Sequence, residues 1–398
     1  MTADPTPAPT ATPTWRDRKR YLWLLGSILP MLPLAGWGLV NALGWRGFWW
    51  FGPMFVYLLL PVVDLLLGRD AAYPPDSALA WLEQDRYYRW CTYLFLPMQY
   101  AGLAVVCWLW TRGGLAVIDK VGLMTTIGMV SGVGINIAHE LGHKREHHER
   151  RFAKVALAPV AYGHFFIEHN RGHHVRVATP DDPASSKLGE SFYQFLPRTI
   201  IGSLRSGWAL EARRMRRAGK PAWSLTNDIL NAWLMTVVLF GALVWIFGIS
   251  VLPYLLGQAI IGISLLEVIN YLEHYGLLRQ TLPSGRYERV RAAHSWNSNN
   301  IATNVFLYHL QRHSDHHANP TRRYQSLRHT DEAPQMPTGY AGMILLAYAT
   351  PLWRRVMDPK VVAHYGGDHR LANIQPQAAE RLERRFGTSA SAQISRSA

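Results

Sequence analysis

Long apolar runs alternate along the chain with stretches that are dense in Arg, Lys and His. Six of the runs are about 20 residues long, which is the length that a helix needs to cross the hydrocarbon core of a bilayer. They cover Tyr21–Leu43, Trp45–Leu67, Cys91–Trp110, Leu115–Ala138, Ile229–Phe247 and Val251–Tyr271. The pattern predicts an all-α integral membrane protein with six transmembrane helices.

The runs and the polar stretches divide the chain into six segments. In chain order we expect a disordered tail, four spans, a polar segment, two spans, a second polar segment and a weakly ordered tail. Their residues are 1–14, 15–138, 139–228, 229–273, 274–365 and 366–398. Within the second polar segment, Tyr340–Trp353 is apolar but too short to span, which predicts an interfacial or core helix.

The distribution of basic residues predicts which side of the membrane the polar segments occupy. The short connections near Gly44, Arg112 and Gly248 carry few basic residues, whereas the N-terminal collar and the polar segments carry nearly all the rest. Basic loops stay on the cytoplasmic side, and an even number of spans puts both termini on one face. We therefore expect the termini and both polar segments, as a helical cap, to be cytoplasmic.

The net charge is +14 with His counted neutral. A basic surface attracts nucleic acid, anionic lipid or an acidic protein, and nucleic acid is the weakest of these because the charge lies beside membrane-length apolar runs. The densest basic run contains Arg213, Arg214, Arg216 and Arg217. It fits an acidic protein partner or anionic membrane lipid equally well, and both interpretations stay open.

Cys91 and Cys107 are the only cysteines in the chain. Two cysteines cannot form a disulfide framework or a four-cysteine metal module. Both lie in apolar runs, so we expect them to be buried as small hydrophobic residues.

Histidines recur at close spacing in three places, and a fourth place, shortly after the last span, holds a single histidine. Neutral imidazole is the commonest metal ligand in proteins, and residues three or four apart share a helix face. The strings HELGH, HNRGHH, LEHYG and HSDHH supply His139, His143, His169, His173, His174, His274, His313, His316 and His317. We predict these nine residues as metal ligands and leave the other eight histidines out of the set.

Nine imidazoles exceed the six positions of an octahedral ion, so the set predicts two metals. Nitrogen ligands with open positions suit redox iron better than magnesium or calcium, which prefer oxygen. Copper and zinc remain chemically open at this point. The HExxH string also occurs in zinc proteases, but such a site needs only one further ligand, and this chain offers seven more clustered histidines.

An acidic residue lies beside a histidine in each of the four places: Glu140, Glu168, Glu273 and Asp315. A ligating imidazole usually donates its second N–H to a carboxylate or a carbonyl, which fixes the ring. We interpret the four acids as residues that orient ligand rings, and one of them could ligate directly.

The strings HELGHK, EHNRGHHVRVATPDDPASS, LEVINYLEHYG and LQRHSDHHANPTRRYQSLR resemble the histidine boxes of the bacterial membrane-bound alkane hydroxylases (alkane 1-monooxygenases). Those enzymes belong to the superfamily of integral-membrane fatty-acid desaturases and hydroxylases. The resemblance implies two non-haem iron ions held by the nine histidines and an n-alkane hydroxylated at its terminal methyl by O2. It also implies location in the bacterial inner membrane, and electrons from rubredoxin, itself reduced by an NAD(P)H-dependent rubredoxin reductase.

An alkane has no polar group to recognise, so its binding must come from apolar burial. We therefore expect a tunnel between the spans, lined by Leu, Val, Phe and Trp. Candidate walls lie in Trp49–Leu60 and Leu123–Ile137.

Two alternatives use the same residues differently. A related membrane di-iron desaturase or xylene-type side-chain monooxygenase would share the histidines and differ in its product. A non-catalytic metal-binding or transport protein would need ionisable residues in the spans. Only Asp64, Asp119, Lys120 and Glu267 lie in or near them, which is too few for a convincing ion path.

Overall fold

The computed structural model describes residues 15–70 and 72–394, and the predicted tail 1–14 lies outside them. Six of its helices are long and apolar enough to cross a membrane: Arg20–Leu43, Arg46–Leu67, Arg86–Thr111, Val117–Gly142, Asp228–Phe247 and Ile249–His274. These are called the first to sixth spans. The six predicted runs are confirmed, with the third span beginning five residues earlier than predicted because the Asp85 side chain caps the added turn by accepting from Tyr87 N.

The fourth and sixth spans form the centre of the bundle. Their closest approach occurs at glycines, where a Cβ added to Gly128 would lie 2.7 Å from the Cβ of Ile261. In the opposite direction, a Cβ on Gly262 would lie 3.0 Å from the carbonyl oxygen of Gly128. Small residues let helix backbones meet closely in a membrane bundle. This contact fixes the relative position of the two spans that end in histidine strings.

Other helices cover one end of the bundle as a cap, and two of them, Phe192–Arg217 and Tyr340–Tyr348, also pack along the sides of spans. In chain order they are α1 (Asp76–Gln84), α2 (His147–Leu157), α3 (Phe192–Arg217), α4 (Ile301–Phe306), α5 (His313–Ala318), α6 (Tyr340–Tyr348), α7 (Thr350–His364) and α8 (Ala379–Ile394). Across residues 15–70 and 72–394 there are isolated bridges but no strand. The predicted all-α fold class is therefore confirmed. The predicted helix Tyr340–Trp353 is divided at Ala349 between α6 and α7, and its first part, α6, packs against the second and sixth spans as a core helix.

The structure differs from the expected weak order beyond residue 366. Asn373 N donates to Gly276 O at 3.0 Å, and Leu382 of α8 is fully buried. The buried carboxylate of Asp358 accepts from Arg381 at 3.3 Å. Order here comes from docking onto the cap through a backbone hydrogen bond and a buried ion pair. A local hydrophobic pattern does not reveal such partners.

A buried carboxylate ties the N-terminal collar to the cap. Asp70 accepts from Lys19 and, at 2.9 Å, from Arg312, which directly precedes α5. Burial alone would raise the pKa of Asp70, but the charges of Lys19 and Arg312 and the hydrogen bond from Lys19 hold it well below its usual range. The first and last thirds of the chain therefore meet beside a histidine string.

Asp64, one of the few acids within a span, is buried and caps α4. Its Oδ1 accepts from Thr303 N at 2.9 Å, and its Oδ2 accepts from the Thr303 hydroxyl. An unsatisfied carboxylate in an apolar bundle would be costly. The side chain is therefore a packing group that joins the second span to the cap.

Candidate metal centre

The nine predicted histidines lie in two adjacent groups where the fourth and sixth spans end. The five-His cluster contains His139, His143, His169, His174 and His316. The four-His cluster contains His173, His274, His313 and His317. Within each group, one ring nitrogen per residue lies within 4.8 Å of all the others. Four separated parts of the sequence thus converge on two points.

The distances between ring nitrogens match those of metal ligands. In the five-His cluster, Nε2 of His316 lies 2.8 Å from Nε2 of His139 and 3.1 Å from Nε2 of His174. In the four-His cluster, Nε2 of His313 lies 3.1 Å from Nε2 of His274. Nitrogens about 2.0–2.1 Å from one ion are roughly 2.8–3.0 Å apart in octahedral geometry and roughly 3.3–3.4 Å apart in tetrahedral geometry. The donor set therefore fits two metal ions.

The central spans position three of the rings. His139 lies in the last turn of the fourth span, and His143 is the first residue beyond that helix. Their ring centroids are 5.2 Å apart, as the spacing of four residues predicts. His274 is the last residue of the sixth span. Because the two spans are locked together at their glycines, these rings face each other across a fixed gap.

The HNRGHH string is divided between the clusters by a wide helical turn. His169–His173 is a π-helical segment, in which hydrogen bonds join residues five apart. This turn brings His169 and His174 together, with their Nε2 atoms 3.1 Å apart. It directs His173 to the four-His cluster. A regular α-helix would not place residues five apart on one side.

The α5 helix is divided in the same way. His313 and His317, four residues apart, bring their Nε2 atoms within 2.9 Å in the four-His cluster, while His316 belongs to the five-His cluster. The clusters touch where the rings of His174 and His317 stack with centroids 4.3 Å apart. Two of the four histidine strings therefore serve both clusters.

Burial keeps the rings uncharged. Metal binding requires neutral imidazole, and removal from water disfavours the imidazolium form. Burial is the main cause, and the neighbouring imidazoles add to it: together they lower the pKa of six cluster residues outside the spans well below the usual range of histidine. These residues are His143, His169, His174, His313, His316 and His317. These rings are poised to ligate at neutral pH.

Two outer ring nitrogens have identifiable partners. Nδ1 of His173 lies 2.9 Å from Oδ2 of Asp182, and Nδ1 of His274 donates to His294 O at 3.1 Å. These contacts turn each Nε2 toward its cluster. Nε2 of His173 and Nε2 of His143 are buried with no hydrogen-bond partner within the described part of the chain. A bound ion would satisfy both nitrogens.

Asp182 is a functional candidate that our sequence reasoning missed. It lies nine residues after His173 in the string TPDDP, and it also accepts from the Ser185 hydroxyl at 2.6 Å. The predicted acids were all immediate neighbours of a histidine. The Asp pair between two prolines marks a turn shortly after the HNRGHH string, and this pattern is the signal for Asp182 in the sequence.

Three of the four predicted orienting acids bind basic side chains. The contacts join Glu140 to Lys144 at 2.9 Å, Glu168 to Arg176 at 2.7 Å and Asp315 to Arg322 at 2.7 Å. Burial raises the pKa of Glu168 to about 7 despite the hydrogen bond from Ser206 and the charge of Arg176. These three carboxylates stabilise the segments that carry the ligands by pairing with a lysine or an arginine.

Glu273 is placed differently from the other three acids. Its Oε2 lies 3.2 Å from Nε2 of His313, the nitrogen that also faces His274. Its Oε1 accepts from the Tyr340 hydroxyl at 3.0 Å. The carboxylate therefore lies on the inner side of the ring, beside the space that the four-His cluster encloses.

An apolar cavity lies between the spans beneath the clusters. The cavity is narrow, and the volume that the centre of a water-sized sphere can occupy in it is about 40 Å³. Both predicted stretches contribute to its wall, including Phe55 and Val56 of the second span and Met129 of the fourth. At the cap end its lining reaches Asn136 and Ile269, which precede His139 and His274 by three and five residues. The cavity therefore points toward the imidazoles.

Comparisons with known proteins agree with this arrangement. The profile of the fatty acid desaturase family matches residues 120–347. The alkane 1-monooxygenase of Acinetobacter baylyi is 46% identical over 93% of this chain and 92% of its own length. Alkane 1-monooxygenase 1 of Alcanivorax borkumensis is 47% identical over 94% and 93%. The hydroxylase component of a Pseudomonas putida xylene/toluene monooxygenase is 27% identical over 79% of this chain.

Matches over 93% and 94% of the chain necessarily include all four histidine strings, at identities that similar folds alone do not produce. The chain therefore belongs to the alkane 1-monooxygenase family of integral membrane enzymes.

Proposed function

We propose that this enzyme hydroxylates the terminal methyl group of n-alkanes to 1-alkanols, with O2 as the oxidant. The observation that carries the proposal is an apolar cavity that leads to two imidazole clusters. Burial of an alkane in such a cavity contributes about 0.8 kcal/mol per CH2. The names of the relatives, alkane 1-monooxygenases, describe the same substrate class.

We infer that the clusters hold two non-haem iron ions, one in each. His139, His143, His169, His174 and His316 would hold one ion, and His173, His274, His313 and His317 the other. Five or four nitrogens leave at least one octahedral position open at each ion, which substrate chemistry requires. Bound iron supplies the redox chemistry that activates O2. The protein keeps the rings neutral and aims them through Asp182 and the carbonyl of His294.

Shape supports selectivity for the chain end. The apolar walls exclude water and hold the alkane along its length, so that only the leading methyl group reaches the cap end near Asn136. Holding a reacting group close to its oxidant replaces a bimolecular encounter with a positioned one. One oxygen atom enters a terminal C–H bond and the other leaves as water, which consumes two electrons and two protons.

We propose rubredoxin, reduced by an NAD(P)H-dependent rubredoxin reductase, as the electron donor. Cys91 and Cys107 are both buried in the bundle, so they do not form a redox centre at the surface. The cluster rings nearest the solvent are the half-buried His143 and His174, with the exposed Arg145 beside them. A small acidic donor would approach fastest at low salt.

We place the enzyme in the bacterial inner membrane with the cap and both termini on the cytoplasmic side. The support is the net charge of +14, which is concentrated in the collar and the cap rather than in the short connections. The clusters would then face the compartment that contains NAD(P)H.

Metal analysis and isotope labelling test the proposal together. Protein purified in detergent should contain two iron ions per chain and should convert octane to 1-octanol when supplied with NAD(P)H, reductase and rubredoxin. Oxygen-18 from labelled O2 should appear in the alcohol. Label found only in water, or iron-loaded protein that forms no alcohol, would overturn it.

Parallel assays with xylene and a fatty acyl chain address the alternative that the 27% identical relative raises. Efficient attack on a xylene methyl, or a desaturated acyl product, with octane left unreacted would favour the related reaction.

A further inference from the structure

The α3 helix runs along the outside of the bundle, and the face that it turns away from the spans changes character along its length. In its first half the exposed residues include Tyr193 at 61%, Ile201 at 49% and Leu204 at 37%. Beyond the buried Glu211, the exposed residues are mainly basic. Gln194 is also exposed in the first half, so the helix presents a mostly apolar first half and a basic second half to its surroundings.

Contacts with the spans fix the depth of the apolar end. The Tyr193 hydroxyl donates to Tyr348 O at 3.0 Å, and the Tyr348 hydroxyl lies 3.1 Å from that of Tyr57. Tyr57 lies ten residues inside the end of the second span. One turn and a half later, the Thr199 hydroxyl donates to Glu267 at 2.9 Å, seven residues inside the sixth span. The first half of α3 thus lies directly beside the sixth span, and Tyr348 of α6 connects Tyr193 to the second span.

The second half of α3 reaches the level where the spans begin. Glu211 accepts from the backbone N–H of Asp228, the first residue of the fifth span, at 2.7 Å. At the same level Trp208 packs on Trp223 with ring centroids 4.8 Å apart, and Trp223 is 77% exposed. Tryptophan is enriched at the boundary between hydrocarbon and headgroups. The helix therefore emerges from the apolar layer near Trp208.

Free cations follow directly after this boundary. Arg213, Arg216, Arg217 and Lys220 are exposed and form no ion pair with any residue in the described ranges. Arg214 differs, because it binds Glu211 and the carbonyl of Thr226. Three unpaired arginines thus lie at the end of α3, after its apolar first half, and an unpaired lysine lies in the segment that follows the helix.

We propose that the first half of α3 is embedded in the membrane and that its basic second half binds anionic phospholipid headgroups of the leaflet on the cap side. Lipid explains both halves of the exposed face, because hydrocarbon covers the apolar first half and phosphate neutralises the arginines. An acidic protein would explain the arginines alone and would leave Ile201 and Leu204 facing water. The proposal rests on the chain spanning a membrane and is independent of the reaction catalysed.

Spin labelling tests the depth of the helix. Full-length Leu204→Cys protein in phospholipid nanodiscs is labelled with a nitroxide, while Cys91 and Cys107 stay buried and unreactive. The label should collide with apolar O2 far more often than with a water-soluble nickel chelate. Asp331→Cys, at a fully exposed cap position, should give the reverse ratio. Equal accessibility of the two labels to the nickel chelate would overturn the embedding.

Lipid selectivity tests the basic end. Spin-labelled phosphatidylglycerol should be motionally restricted by the protein with roughly threefold or greater selectivity over phosphatidylcholine. The triple variant R213Q/R216Q/R217Q should lose most of this selectivity. R286Q/R289Q/R384Q removes the same charge from exposed positions elsewhere and should retain it.

Three results would contradict the proposal: no selectivity in the wild type, equal loss in both triple variants, or unchanged selectivity in R213Q/R216Q/R217Q. If that variant instead raised the KM for rubredoxin with selectivity unchanged, the arginines would belong to a protein-docking surface.

Discussion

Each imidazole in the two clusters has two nitrogens, and in His173 and His274 the partner of the outer nitrogen fixes where the inner one points. His173 shows this best, because Asp182 holds its Nδ1 at 2.9 Å and leaves its Nε2 for the cluster. The spacing of histidines could be seen in the sequence, and all nine converge in the structure. The grouping into five and four depends on a π-helical turn and on backbone hydrogen bonds, which no spacing rule encodes.

Replacing Asp182 should loosen the metal at the four-His cluster. In Asp182→Asn the charge that orients His173 is lost, and such changes commonly weaken metal binding by about 10- to 100-fold. When the variant is titrated with a chelator, the iron affinity obtained should be lower than that of the wild type by this factor. Asp181→Asn, at the exposed neighbouring position, is the matched control and should behave like the wild type. Similar iron loss in both variants would show that Asp182 does not act through His173.

His309, outside the clusters, should make stability depend on pH. Its Nδ1 donates to Tyr324 O and its Nε2 accepts from Lys19, so the folded ring is neutral. Burial, with the charges of Arg312 and Lys19, lowers its pKa well below the usual value. The unfolded chain gains a proton near pH 6.5 and the folded one does not. This contribution to stability is therefore complete above about pH 6.5 and is lost as the pH falls below it.

His309→Asn should reduce the pH dependence of unfolding. Between about pH 6.5 and 5 the slope of unfolding free energy should drop by up to roughly 1.4 kcal/mol per pH unit, because one proton fewer is taken up. Asn tolerates the positive φ of 56° at this position. Denaturation of metal-free protein in detergent at several pH values measures the slope, and the exposed His148→Asn is the control. An unchanged slope in His309→Asn would refute the assignment.

At the scale of single elements, length and apolar content were sufficient to predict the six spans. The α3 and α8 helices were not predicted, because each depends on a neighbour. Thr199 of α3 pairs with Glu267, and Leu382 of α8 fills a site on the cap. Mixed polar and apolar segments become helical here through contacts that lie far away in the sequence.

The second span should set the alkane length. Val56 lines the cavity, and Phe at this position would fill part of the space that a long chain needs. If the proposed function holds, Val56→Phe should lower kcat/KM for dodecane about tenfold or more relative to octane, since each unburied CH2 costs about 0.8 kcal/mol. Competition assays with mixed alkanes give the profile. Val62→Phe, 53% exposed on the same span, should keep the wild-type profile, and identical profiles would exclude this cavity as the substrate chamber.

Across the whole molecule, the clusters join elements that are otherwise held mainly by apolar packing. The fourth span, the HNRGHH turn, the sixth span and α5 all end at the same place. An ion that binds only when these parts are together stabilises the folded state by mass action. Metal content should therefore govern the stability of the cap and the bundle together.

Removing the metal should lower the thermal stability of the entire fold. Iron-loaded protein should melt several degrees above chelator-treated protein, and restored iron should recover the difference. His316→Ala should reduce the metal-dependent shift, whereas His148→Ala, an exposed residue outside both clusters, should retain it. Scanning fluorimetry in detergent with matched iron analysis makes the measurement. Equal melting temperatures with and without iron would show that iron does not bind preferentially to the folded state.

The separation of the ligand strings along the chain has a consequence for biosynthesis. His139 and His316 meet in one cluster but are 177 residues apart in sequence. At about 5–20 residues per second, a ribosome adds His316 roughly 9–35 seconds after His139. During that interval the early spans are already in the bilayer with an incomplete ligand set. If the clusters hold iron as we propose, each site is complete only late in synthesis, and newly made protein has a partial ligand set while its early spans are in the membrane.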